Sequence, residues 1–569
     1  MKKVLSFLRP QTGRTVLQIT IKFISTLLEL FLPWILEYII DDIAPTGDVK
    51  QLIVWGILML LCAAAVYVSA VVANRMASKI AANFTRSLRH TLFRKVTVLS
   101  SEQVDRFTVP SLISRLSSDT YLVNDMVDRM MRLGVRAPIL LIGGLLVSAL
   151  MEPTLALIFL CLLPPICGML VLVSKRSIPL YAKAQEAGEE LVRRIQENMT
   201  GVRIIKALSR TQDEKDRFSR ANQTAVQTDR KAENVMAIAN PMMGVLLNIG
   251  MAIVIVVGAF RVNKGLTEAG KIVAFLNYFV ILQNGLLGIT KIFTICSRGI
   301  ASGKRISEVL EMPERTVPAL SDAPAPEGHV VFSHVSFSYN KVKPNLSDLS
   351  FTLRRGQTLG IIGPTGSGKS TVLQLLLRFY EPDEGQIWLD GQPLSQLPEQ
   401  DIHRRFGVVF QNDFLFADSV RANLDFERAV EAEDRELAVE TAQADFLRSL
   451  PEGEMADLSE RGMNFSGGQR QRLLIARALA AKPEILLLDD CSSALDYRTD
   501  ARLRKALREA YGNTTKIIVA QRISAIRHAD LILVLEEGRV IGSGTHEQLL
   551  TGCEQYRTLY EMQMGEVSA

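Results

Sequence analysis

Cysteine is scarce in this chain of 569 residues, and its six copies, Cys62, Cys161, Cys167, Cys296, Cys491 and Cys553, are scattered. None of them stands at a metal-ligand spacing and no framework of bridges emerges, which argues against a zinc module and a disulfide scaffold. They read as reduced thiols, some within a membrane and others facing the cytosol. Charge of one sign is missing too. The 65 basic and 60 acidic residues leave a net charge of +5 and no basic cluster, so nucleic acid is not an expected partner. A small-residue cleavage site is also lacking after the basic residues 1–14. Lys22 and Glu29 sit inside the helix that follows, so the first apolar stretch reads as a retained span rather than a removed signal peptide.

Charge is absent altogether from residues 52–73, 153–174 and 235–260. A helix needs about 20 apolar residues to cross the hydrocarbon layer, and these runs meet that length. Residues 272–297 and 134–151 extend slightly shorter runs, and 15–40 is a first span interrupted by Lys22, Glu29 and Glu37. That makes six spans. Nearly all the long uncharged runs precede residue 300, and the remainder reads as a soluble α/β protein, so the length divides into at least two domains. We expect a transmembrane domain over 1–312, a Pro- and Ala-rich linker over 313–328, and a second domain over 329–569.

The connectors are unequal. Residues 74–136 carry eleven Lys or Arg and 175–234 carry thirteen, while the other connectors are short. The positive-inside rule places both long connectors, and both termini, in the cytoplasm. Each connector keeps helix-like spacing with few breakers, and two helices of about 25 residues would project more than about 30 Å beyond the bilayer. Residues 106–117 and 200–208 lie near the midpoints and are the expected crosswise pieces that touch the second domain.

In that domain Gly363-Pro364-Thr365-Gly366-Ser367-Gly368-Lys369-Ser370 fits G-x-x-x-x-G-K-[ST] between an apolar strand-like run and a helical run starting at Thr371. Glycines let backbone N–H groups face phosphate oxygens, Lys369 would neutralise the β- and γ-phosphates of ATP, and the Ser370 hydroxyl would hold Mg²⁺. Residues 485–488 form an apolar strand ending in Asp489, which suits a carboxylate facing that Mg²⁺.

Between these motifs stands Asn464-Phe465-Ser466-Gly467-Gly468-Gln469-Arg470-Gln471-Arg472. It resembles the signature motif of the ATP-binding-cassette (ABC) proteins, with Phe465 where Leu is more usual. The resemblance covers essentially the whole chain and implies a six-helix all-α transmembrane domain followed by an α/β P-loop nucleotide-binding domain. The arrangement is that of the type IV exporters, integral to the bacterial inner or plasma membrane. It further implies that Tyr339 stacks on adenine, that Gln411 is the Q-loop residue reaching Mg²⁺, and that Ser493-Ala494-Leu495-Asp496 is a D-loop crossing to a partner. Ser466, Gly467, Gly468 and Gln469 would then act on the partner's ATP. Glu460-Arg461-Gly462 resembles the exporter-specific segment ahead of the signature.

Two positions depart from the family. The Glu that polarises water is replaced by Asp490, and the switch His by Gln521. A shorter carboxylate and a neutral amide remove positioned acid–base help typically worth about 10²–10⁴-fold in rate. The pattern resembles the degenerate-site subunit of heterodimeric bacterial multidrug exporters. It implies a non-identical partner with Glu and His at these positions and a degraded signature. A slowly hydrolysing homodimer is the alternative. The expected function is ATP-driven efflux of hydrophobic or amphiphilic compounds; the rivals are a lipid or peptide exporter and a regulatory ATP-sensing subunit. For cargo contact the candidates are Glu29 near the middle of the first span, which would attract cationic drugs, and Phe275, Tyr278, Phe279 and Gln283 in the sixth.

Overall fold

The structure, a computed structural model, describes residues 1–313, 326–491 and 494–565. The chain divides into two compact units, Met1–Thr97 with Val109–Met312, and Val98–Thr108 with Pro313–Ala569.

In the first unit, the described residues form six helical stretches long and apolar enough to cross a membrane: Lys2–Thr46, Val49–Thr97, Val109–Met151, Pro153–Thr200, Thr211–Asn263 and Ala269–Leu310. Each contains one of the six apolar runs. The helices outrun the apolar segments because nothing stops them: Val49–Thr97 continues past Ala73 without Pro or Gly. Its buried residues, Ala73, Ala77, Ile80, Ala81, Phe84, Leu88 and Leu92, recur every three or four positions along this polar portion. By contrast only 6% of its most apolar window is buried. A helix surface that apolar and that uncovered has lipid as its solvent.

Two carboxylates fix the short turns. The Glu152 carboxylate accepts from Arg261 at 2.9 Å, and Asp41 accepts the backbone N–H groups of Gly270 (2.5 Å) and Lys271 (3.0 Å). Asp41 thus satisfies the first-turn donors of helix Ala269–Leu310 from another part of the chain. A Cβ at position 270 would lie 2.7 Å from that carboxyl group, so glycine makes room for the contact.

The first crosswise piece is displaced from the expected 106–117. It is the short helix Ser101–Phe107, opened by a capping box between Ser100 and Gln103 and stopped at Thr108, whose φ is +62°. Val109–Ser114 already begins the next long helix. The second short helix, Val202–Ala207, falls inside the expected 200–208 and leaves Ile204 exposed.

The second unit has ten strands among the described residues. They are β1 (Val330–Phe337), β2 (Leu346–Leu353), β3 (Thr358–Ile362), β4 (Glu384–Leu389) and β5 (Gln392–Pro393). They continue with β6 (Phe406–Val409), β7 (Ile485–Asp489), β8 (Thr515–Val519), β9 (Leu531–Glu536) and β10 (Arg539–Gly544). One antiparallel sheet runs β2-β1-β4-β5; the other runs β10-β9-β3-β8-β7-β6. In the second sheet β3, β6, β7, β8 and β9 are parallel. Every residue of β7 is buried, as a parallel strand covered on both faces requires. Ile361 pairs with Val519, and Val519 with Asp489, so β3, β8 and β7 end level with one another. Their carboxyl ends form one edge, where ligands of open parallel sheets bind.

The segment Val98–Thr108 belongs to this unit. The Tyr380 hydroxyl donates to the Asp105 carboxylate, and the Gln103 side-chain amide donates to the Pro313 carbonyl at 3.1 Å.

Candidate functional site

Three loops leave that edge. The first follows β3. Gly368 has φ +96°, and a Cβ there would lie 2.5 Å from the Asn345 carbonyl oxygen, so both backbone and space demand glycine. Around Gly366 the loop is open, with nothing within 4 Å of where a Cβ would stand. Lys369 opens the helix Lys369–Leu376 and folds back, its Nζ donating to the carbonyls of Gly363 (3.0 Å) and Pro364 (2.7 Å). Burial pulls the Lys369 ammonium below its ordinary range, while the charges of Asp489 and Asp490 oppose that shift. The Ser370 hydroxyl is hydrogen-bonded to Asp489. Ser367 Oγ is buried without a hydrogen-bond partner.

The second loop follows β7. Burial raises the Asp489 carboxyl above the usual range; the Asp490 charge adds to this, and Ser370 and Lys369 counter it. Asp490 has φ +49° and its N–H donates to the Val519 carbonyl at 2.9 Å, which ties the loop to β8. Its carboxyl is also raised, chiefly by burial, against the pull of Lys369 and Arg522. The third loop follows β8, and its Gln521 side chain donates to Asp490 Oδ2 at 3.0 Å. Positions 490 and 521 therefore meet.

The groups present fit a nucleotide triphosphate with a divalent cation. An open glycine loop, an ammonium folded back over that loop, and an orphaned Ser367 hydroxyl suit phosphate oxygens. Ser370 and Asp489, already side by side, are oxygen donors of the kind Mg²⁺ takes.

Tyr339 is partly exposed, and its hydroxyl lies 2.6 Å from Gln374 Oε1 and 3.3 Å from Thr371 Oγ1 on the Lys369–Leu376 helix. Its ring meets Phe337 and Tyr380 edge to face. Gln374 and Tyr380 escaped the sequence reading; Gln374 stands three positions after Thr371, so helical spacing put it on the same face. Gln411 is exposed and, among the described residues, has no hydrogen bond to Ser370 or Asp489. It lines a cavity of about 790 Å³ together with Glu460, Arg461, Gly467, Arg470 and Ala494.

Ser466 caps the helix Gly467–Leu479. Its Oγ accepts the Gln469 N–H at 3.3 Å, and its own N–H donates to Gln469 Oε1 at 2.9 Å. Nothing lies within 4 Å of a Cβ built on Gly467. Asp496 caps the helix Tyr497–Ala510 through the N–H groups of Arg498 and Thr499. Ser493 lies outside the described residues.

Of the cargo candidates, Glu29 is gripped by Arg136 through both carboxylate oxygens, at 2.6 and 3.1 Å. Phe275, Tyr278 and Phe279 do not line an open surface. They are fully buried in the helical core with Leu140, Phe159 and Leu282, and the Tyr278 hydroxyl donates to the Leu30 carbonyl at 2.7 Å. Spacing of three and four positions put all three aromatics on the packing face. Gln283 is half-buried.

Comparison with known proteins agrees with this geometry. Residues 15–286 match the ABC transporter transmembrane region family, and residues 346–493 match the ABC transporter family. An uncharacterized ABC transporter ATP-binding protein, YfiB of Bacillus subtilis, is 33% identical over 99% of both chains. A probable multidrug resistance ABC transporter ATP-binding/permease protein, YheI of the same organism, is 32% identical over 99% of this chain and 97% of its own. An ATP-dependent lipid A-core flippase of Saccharophagus degradans is 30% identical over 86% of this chain and 83% of its own. The fold is that of a bacterial Atm1-family ABC exporter solved with ATP bound, with a TM-score of 0.81, 24% identity and 98% of each chain covered. With six membrane-length helices ahead of a phosphate-binding α/β domain, the chain belongs to the ABC transporter family, as an integral membrane protein whose ATPase is coupled to transport.

Proposed function

We propose that this chain is one half of a heterodimeric exporter of hydrophobic or amphiphilic compounds. ABC exporters work as dimers in the bilayer, and here the partner is non-identical. Its own phosphate-loop site turns over slowly, while its Ser466-Gly467-Gly468-Gln469 turn completes the partner's site. Lys369 and the loop N–H groups would hold the phosphates, Ser370, Asp489 and Gln411 would hold Mg²⁺, and Tyr339 would stack on the adenine. Asp496 belongs to the D-loop that crosses to the partner. Bound Mg²⁺ supplies charge neutralisation on the phosphate oxygens. Both termini lie in the cytoplasm in this reading, which the basic connectors support.

The observation that supports the slow-site reading is the hydrogen bond of 3.0 Å between Gln521 and Asp490. Asp490 is one methylene shorter than the usual Glu, and a neutral amide already occupies one of its oxygens. Gln521 brings no ionisable proton. Losing positioned acid–base help of this kind costs about 10²–10⁴-fold. For cargo, one relative's name speaks of multidrug resistance, which supports the first reading, and another's of a lipid A-core flippase, so a lipid is the second reading.

The test is ATPase activity of the purified pair in proteoliposomes. Asp490→Glu with Gln521→His should raise turnover, and altering the partner's catalytic Glu alone should abolish most of it. An assembled, folded pair that shows no rise refutes the slow site. Full-rate hydrolysis by this chain alone refutes the heterodimer.

A further inference from the structure

One set of contacts beside the site comes from the helix Glu554–Gly565. Its Tyr556 is fully buried in the cluster that contains Ala520, Ile523 and Ile526, and the Tyr556 hydroxyl pairs with His546 Nδ1 at 2.8 Å. Two turns further on, the Gln563 side-chain amide binds backbone on both sides of Arg522. Its Nε2 donates to the Gln521 carbonyl at 2.9 Å, and its Oε1 accepts the Ile523 N–H at 2.8 Å. These bonds fall where regular structure runs out: β8 ends at Val519 and the helix Ile523–Ile526 has no side-chain cap of its own. A glutamine amide has a donor nitrogen and an acceptor oxygen, and here each makes a bond to a single bend.

We propose that Gln563 is a positioning residue for the ATPase reaction: it clamps the bend from Gln521 to Ile523 and thereby aims side chain 521 at position 490. The role rests on the reading of positions 490 and 521 as the reacting edge of the site. It makes the helix Glu554–Gly565 a support for the switch position, acting through Gln521. A backbone shift of about 1 Å at such a position can cost about 10²-fold in rate, and one amide pair guards against it.

The experiment uses the full-length chain assembled with its partner half in lipid nanodiscs, with Gln563→Leu made in two backgrounds: wild type, and Asp490→Glu with Gln521→His. Two quantities are read, hydrogen exchange over residues 519–525 and the kinetics of ATP hydrolysis. Exchange at Ile523 should quicken about fivefold in both backgrounds, from loss of one hydrogen bond. In the restored background kcat should fall by about tenfold or more while KM for ATP stays within about twofold. Gln563→Glu serves if the Leu variant fails to assemble. It keeps the acceptor for Ile523 and sets a carboxylate against the Gln521 carbonyl, so kcat should fall with exchange at Ile523 little changed. Unchanged exchange in Gln563→Leu overturns the clamp. Faster exchange with unchanged kcat in a restored background that has gained activity overturns the positioning role. If the restored background gains nothing, the slow-site reading has failed, and the exchange result by itself decides whether the clamp exists.

Discussion

The contact between Asp105 and Tyr380 offers a sharp test of how the short helix Ser101–Phe107 is held. Tyr380→Phe removes only the hydroxyl that donates to the carboxylate. Hydrogen bonds to charged groups contribute about 1.5–3 kcal/mol, but Asp105 is exposed. Water competes there, and about 1 kcal/mol is the figure to expect, as for well-placed surface contacts. That is about a fivefold change in an opening equilibrium. Hydrogen exchange over residues 98–108 reads it directly, and Asp105→Asn with Tyr380→Phe closes a double-mutant cycle. Effects that simply add would refute the contact. The pH dependence has a definite sign. Burial, then the Asp105 bond and charge, raise the Tyr380 phenol above its ordinary range. Its contribution is complete below the unfolded value, about 10, and is lost as pH rises through the folded one. Protection of this segment should therefore stay flat from neutral pH to about 10 and fall only in stronger alkali, and it should not do so in Tyr380→Phe.

Other perturbations are simpler. Glu29→Gln leaves the Arg136 guanidinium half-buried without its carboxylate, so thermal stability should drop by about 1–3 kcal/mol; unchanged stability with selective loss of cationic dye transport would favour direct cargo contact instead. Gly368→Ala combines φ +96° with a contact of 2.5 Å to the Asn345 carbonyl, and it should destabilise the nucleotide-binding domain by about 1–3 kcal/mol in chemical denaturation. Lys369→Ala should weaken fluorescent ATP-analogue binding by about tenfold or more through loss of a charge-assisted contact, with little change in unfolding.

What could be read from the sequence was local. Apolar runs of membrane length and the glycine loop before Lys369 are written in consecutive residues, and so the fold class followed. The ion pair between Glu29 and Arg136 joins residues 107 positions apart, and no spacing rule pairs them. Phe275, Tyr278 and Phe279 have a periodicity that a packed face and a cargo face share; only the neighbouring helices decide which it is. The displaced crosswise helix was more readable than the expectation drawn from it. Ser100 and Gln103 form a capping box in plain view, and it marks a helix start at Ser101, five residues before Arg106. The pairing of Gln521 with Asp490 gives the two substitutions a common physical place, which sequence order alone could not.

The reciprocal bonds of Ser466 and Gln469 have a consequence for assembly. A glycine-rich turn that waited for its partner before taking shape would lose much conformational freedom on docking, and association would be weakened accordingly. Here the turn is already set in the lone chain, with its hydroxyl and amide holding each other. A second subunit arriving with nucleotide would meet a rigid mould rather than a loop to be ordered. Affinity between halves would then respond to the nucleotide itself, and the joint would close and release without refolding either face.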